Sequence, residues 1–186
     1  MNAIERRAFM KGAGLGALAF TVGGAQVLMT PAQARAEGVP LRTLKPEEAE
    51  TIEAVGEALV PGARQAGIAN FIDQQISGAA EEALLEARIL SVKPPFANFY
   101  RAAIGAINGA SDKRAGKRFA ELDPATRHEF IDQMRQNKLE GWKGPAGPFV
   151  YLILRSDAVD VVYGTMAGYE ALNIPYMAHI APTKKW

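Results

Sequence analysis

Cysteine is absent from this chain of 186 residues, and imidazole nearly so, with His128 and His179 the whole supply. No thiol means no covalent c-type haem attachment, no cysteine-ligated iron–sulfur cluster, no thiol nucleophile and no structural zinc of the usual kind. With two imidazoles, most other metal chemistry loses its best ligand. His128 lies between Arg127 and Glu129 with no second ligand near it and reads as a surface residue. A small hydrolase would need a nucleophile beside a base, and the sequence holds no G-x-S-x-G elbow. Charge of one sign is lacking too: 21 basic residues face 20 acidic ones, a net of +1, which gives no footprint for nucleic acid.

The chemistry that is present sits at the start. Glu5-Arg6-Arg7-Ala8-Phe9-Met10-Lys11 sets two adjacent arginines, an aromatic and a lysine before an uncharged segment running from Gly12 to Gln33. That order is the signal of the twin-arginine export route, with Arg6, Arg7, Phe9 and Lys11 as its recognised residues. The segment is only moderately apolar, because Gly12, Gly14, Gly16, Gly23 and Gly24 dilute Leu15, Leu18, Phe20, Val22, Val27 and Leu28. It closes on Pro31-Ala32-Gln33-Ala34-Arg35-Ala36, which offers small-x-small cleavage after Ala34 or Ala36. An uncleaved membrane anchor is the competing reading, but the glycines, Gln26 and Thr30 make a poor span. Gly12-x-Gly14-x-x-Ala17 also fits a dinucleotide fingerprint, yet it follows Arg6, Arg7 and Lys11 where an apolar strand is required.

Residues 1–36 are therefore read as a signal peptide and 37–186 as one domain, long enough to bury a core. Removing the signal takes Arg6, Arg7, Lys11 and Arg35 with Glu5, and leaves 17 basic against 19 acidic residues, so the basic excess belongs to the signal. Export without disulfides fits a chain that folds in the reducing cytoplasm and crosses the membrane already folded.

The domain reads as all-α, a small irregular bundle of five to seven helices with an extended, aromatic-rich C-terminal tail. Pro46 opens a helix with Glu47, Glu48 and Glu50 in or near its first turn and Ile52, Val55 and Leu59 on one face; Pro61-Gly62 ends it. Its acidic residues, Glu53 and Glu57 among them, are read as solvated. A second helix covers Gly67 to Ser77 on Ile68, Phe71, Ile72 and Ile76, with Asp73 turned outward, and a third is expected over Glu81 to Leu90. After Pro94-Pro95, Phe96, Phe99, Tyr100, Ala103, Ile104 and Ile107 form a wide apolar stripe. Gly109 to Arg118 reads as a polar loop whose Lys113, Arg114, Lys117 and Arg118 are solvated. Asp123-Pro124 caps a helix over Ala125 to Lys138 that buries Phe130, Ile131 and Met134. Gly141 to Pro148 is a loop around Trp142; Phe149 to Tyr163 favours a helix, although its β-branched residues leave a strand pair open. The tail from Gly164 is too aromatic for a disordered end. It either folds back on its own core or docks on another subunit, and Trp142, Tyr169, Tyr176, Met177 and Trp186 are the candidate partner contacts.

From about Leu44 onward the chain resembles the small-subunit family named after subunit 3 of gluconate 2-dehydrogenase. The resemblance rests on Leu44-x-Pro46-Glu47-Glu48, Leu59-Val60-Pro61-Gly62, Ala66-Gly67-Ile68-x-x-Phe71-Ile72-Asp73, Phe119-x-x-Leu122-Asp123-Pro124 and Tyr163-Gly164-Thr165…Gly168-Tyr169…Leu172-x-Ile174-Pro175-Tyr176. None of these is a chemical motif. The resemblance implies a non-catalytic subunit holding no cofactor of its own. Its partners would be a large FAD-dependent dehydrogenase of the glucose-methanol-choline type, often a multihaem cytochrome c carrying haem c, and the twin-arginine translocase. The implied location is the periplasm, peripheral to the cytoplasmic membrane through the complex, with the folded flavoprotein exported on this chain's signal. Where some members carry a long glycine-rich ending, this chain has Tyr176-Met177-Ala178-His179-Ile180-Ala181-Pro182, so the partner's substrate stays open. A free-standing periplasmic binding or stress protein is the alternative.

Overall fold

The computed structural model describes residues 16–174. These hold eight α-helices and one two-stranded sheet, so the helical expectation of five to seven stands with at least one more helix than foreseen. The sheet was not anticipated. Strands β1 (Leu18–Val22) and β2 (Ala25–Met29) pair antiparallel, with Val22 opposite Ala25 and Leu18 opposite Met29. Gly23 and Gly24 join them with φ of +56° and +84°, the pair of left-handed residues that a two-residue hairpin turn of type I′ requires. Glycines that dilute hydrophobicity in the sequence are here what turns the chain.

Helix α1 (Pro31–Ala36) follows at once and is closed at both ends. Thr30 and Gln33 form a capping box: the Gln33 N–H donates to Thr30 Oγ1 at 3.1 Å, and the Thr30 N–H donates to Gln33 Oε1 at 2.8 Å. At the other end Gly38, at φ +65°, lets the Val39 N–H reach Ala34 O at 2.9 Å and its own N–H reach Arg35 O at 3.1 Å, a Schellman closure.

Helix α2 (Pro46–Leu59) is the hub, touching α3 (Ile68–Ile76), α5 (Phe96–Ala115), α6 (Pro124–Arg135), α7 (Gly147–Tyr163) and the 3₁₀ turn Phe119–Glu121. Its buried Ile52, Ala54 and Val55 join Ile68, Ile72, Tyr100, Ile107, Phe119, Phe130, Met134, Val150 and Ile153 in one core. Gly56 lets α3 close in, since a Cβ there would lie 2.8 Å from Ile68 Cδ1. A smaller second cluster gathers Phe20, Met29, Ala34 and Val39 at the N-terminal end.

Several sequence expectations are corrected. Asp73 faces inward, not outward: it is buried, and its carboxylate accepts from the N–H groups of Arg42, Thr43 and Leu44 at 2.8, 2.9 and 2.7 Å. The helix expected over Glu81 to Leu90 is instead a 3₁₀ turn, Ala80–Glu82, and a single turn α4 (Glu86–Ile89). Its amides are taken from outside, Leu84 N–H by Gln75 Oε1 at 2.7 Å and Glu86 N–H by Asp157 Oδ1 at 3.1 Å. The loop read from Gly109 belongs largely to α5, which runs on to Ala115 because Ala110 and Ser111 keep its stripe buried; Gly116 ends it at φ +64°. Over Phe149 to Tyr163 the helix prevails: Val150, Ile153, Leu154, Asp157, Ala158 and Val161 are buried at three- and four-residue spacing. The final described element is α8 (Met166–Ala171), capped by Thr165.

Candidate functional site

Arg6, Arg7, Phe9 and Lys11 lie outside the described residues, as do Tyr176, Met177, His179 and Trp186. What the structure does place is residues 16–36, the rest of the segment that the sequence reading assigns to a signal. β1 lies along α3, where Gln74 Nε2 donates to Ala19 O at 3.3 Å, and Phe20, Val39 and Arg42 share a small cleft with Asn70 and Asp73. Helix α1 sits on the start of α3. Gly67, at φ +80°, makes this possible, because a Cβ there would be 2.2 Å from Pro31 O and 2.9 Å from the Ala32 nitrogen. Arg35 Nε donates to Glu53 Oε1 at 2.9 Å, and Arg64 approaches the other oxygen of the same carboxylate at 3.6 Å. Glu53 thus anchors Arg35 of α1 and is not the solvated residue expected. Of the two expected cleavage residues, Ala36 is exposed and Ala34 is completely buried.

Three more acidic residues of α2 are also engaged. Glu57 accepts from the Gly62 and Arg64 N–H groups at 3.0 Å each, which ties off the turn after α2. Glu50 pairs with Arg118 at 3.3 Å, and Glu48 accepts from the Lys45 N–H at 2.8 Å and from Arg101 Nε at 3.3 Å. The basic group at the end of α5 is partly spent in the same way, with Arg114 on Glu129 at 2.8 Å and on Gln133 at 2.7 Å. The Arg118–Glu50 and Arg114–Glu129 pairs are largely exposed, and each stabilises by about 1 kcal/mol or less.

One buried polar group had no place in the sequence reading. Asp157 on α7 is fully buried, accepts from Tyr100 O–H at 2.5 Å and from the Glu86 N–H at 3.1 Å, and so ties α5 and α4 to α7. Burial outweighs both hydrogen bonds and pushes its carboxyl from 3.8 up to about 7, helped by the charges of Asp160 and Glu86. Burial also raises Tyr100 well above its ordinary range, so the phenol stays a neutral donor. The signal was legible, since Asp157 stands four residues after Ile153 and four before Val161, on the apolar stripe. Among the described residues no group of three or more His, Cys, Asp or Glu could hold a metal ion, and no helix is long and apolar enough to cross a membrane.

The predicted partner residues are only partly in view. Trp142 is half-buried against the core, its Nε1–H donating to Pro145 O at 2.7 Å, which closes the glycine- and proline-rich loop on itself. Tyr169 is half-buried on α8, next to the exposed Leu172 and Ile174. Leu84 and Ile89, at 56% and 66% exposure, are apolar surface that the sequence reading missed because it placed them in a regular helix. His128 is exposed, as expected.

The family model for gluconate 2-dehydrogenase subunit 3 matches residues 46–178, more than half of the chain and all of its helical core from α2 onward. The chain belongs to the gluconate 2-dehydrogenase subunit 3 family. The match begins at Pro46, so the hairpin and α1 lie outside it. No curated protein and no solved structure matches the chain. As a member of the subunit 3 family, the chain is by that name one part of a multisubunit dehydrogenase.

Proposed function

We propose that this subunit 3 protein is the non-catalytic small subunit and export escort of a periplasm-facing, FAD-dependent alcohol or sugar dehydrogenase. The observation that carries the reading is the conjunction of a family match from Pro46 to Ala178 with the Arg6-Arg7 signal that precedes it. The flavin belongs to a large partner of the glucose-methanol-choline type; a multihaem cytochrome c is the natural electron outlet of such an assembly. Tyr169, Tyr176, Met177 and Trp186 supply contacts to the large subunit. The complex is held at the periplasmic face of the cytoplasmic membrane, and the twin-arginine translocase is the second partner, met only in transit.

The test is to replace Arg6 and Arg7 together by lysine and fractionate cells that express both subunits. The flavoprotein is expected to leave the periplasmic fraction and accumulate folded, with FAD, in the cytoplasm. If it still reaches the periplasm, the escort role is wrong. If the tagged chain purifies as a colourless monomer from cells that also make the flavoprotein, the complex itself is wrong.

A further inference from the structure

The sequence marks residues 1–36 for removal, yet the structure builds residues 16–39 into the domain. We propose that the signal is not shed, and that its exit stays docked on α3 in the exported protein. This rests on the export reading above.

Both possible cuts depend on Ala34. A cut after Ala34 places that methyl beside the broken bond, with Ala32 two residues before it. A cut after Ala36 makes Ala34 the small residue two positions before. A signal peptidase reads these methyls on a strand added to its own, extended at about 3.3 Å per residue. In the folded protein Ala34 is 0% exposed, inside a helix that rises about 1.5 Å per residue. The helix is held by caps at both ends, with the Thr30–Gln33 box on one side and the Gly38 closure on the other. It is also held from below: Pro31 lies over Gly67 too closely for any side chain, and Arg35 is bonded to Glu53. Presenting either site therefore requires α1 to unwind and leave its seat.

The dock also has a use for the segment. Phe20, Met29 and Ala34 cover Val39, and removing residues 1–36 would take three of the four members of that cluster and leave Gly67 facing open water. Sites meant for proteolysis are found on exposed, poorly bonded backbone. Here the backbone is bonded and the side chain buried.

The experiment uses the full chain with a C-terminal tag, incubated in detergent micelles with purified leader peptidase and followed by intact mass. The wild-type chain is expected to keep its N-terminus. Gly67→Leu, whose side chain displaces Pro31, is expected to be cut after Ala34 or Ala36. Thr30→Ala leaves both cleavage sites and the core intact but removes the capping box, and is expected to be cut about fivefold faster than wild type. A wild-type chain cut as fast as the two variants overturns the proposal, as does a pair of variants that stay as intact as the wild type. Intact mass on the periplasmic fraction separates this from export itself. A periplasmic chain that begins at Arg35 or Glu37 overturns retention while keeping export. A chain confined to the cytoplasm sinks the export reading and leaves the peptidase comparison to decide retention.

Discussion

Two buried carboxylates show how much a single side chain decides. Asp73 satisfies three consecutive amides of the lead-in. Truncating it to alanine orphans all three and is expected to cost about 3 kcal/mol or more, read from the urea midpoint. Asp157 behaves differently, because its folded pKa is raised. The folded state holds the proton more tightly than the unfolded chain, so its contribution is fully present below pH 4 and is lost as pH rises toward about 7. A shift of that size corresponds to roughly 4 kcal/mol. Asp160, half-buried beside it and raised by burial and by Glu86, works in the same direction. The melting midpoint is expected to fall between about pH 4 and pH 7, and Asp157→Asn, which can still accept from Tyr100, is expected to flatten most of that slope. Both residues stand in plain view in the sequence, but periodicity points Asp73 outward and assigns Asp157 no role. A period of 3.6 says which face a residue occupies; it does not say that a partner's amides wait there.

Among elements, most of the long helices were legible; the short ones and the C-terminal end of α5 were not. α2, α3, α6 and α7 follow from apolar spacing together with Pro46, Pro124 and the Pro61-Gly62 stop. The region between Ala80 and Ile89 could not be read, because its amides bond to Gln75 and Asp157 from other elements. The hairpin escaped for the opposite reason: Gly23-Gly24 is a turn signal, but it was weighed as part of an apolar run. Close packing between elements gives a graded test at Gly56. Alanine there would lie 2.8 Å from Ile68 Cδ1 and 3.1 Å from its branched Cγ2, so Ile68 must shift; better helix propensity offsets only part of that, and a loss of about 1 kcal/mol is expected. Leucine must push α3 away, with an expected loss of about 2 kcal/mol in urea unfolding.

At the scale of the molecule, the family and the helical architecture were within reach of the sequence, since both rest on the order of helix starts and stops. The candidate site was only partly so, because partner contacts carry no chemical motif, and what the structure shows of Trp142 is its bond to its own loop. Replacing Tyr176, Met177 and Trp186 together by alanine is expected to lower the flavin that co-purifies with the tagged chain, measured by absorbance, while the chain itself is still recovered. Equal flavin recovery would show that the partner binds elsewhere, with the exposed Leu84 and Ile89 the next surface to change.

The central position of α2 sets a clock. It cannot be enclosed until α7, which ends at Tyr163, has been made, and its contacts with α6 and α7 close large loops. At about 5–20 residues per second, Arg6 and Arg7 leave the ribosome roughly 10–30 s before the core can close behind them. On the export reading proposed above, the signal is on display for that interval while the chain behind it is unfolded, and a route that accepts only folded chains must wait it out.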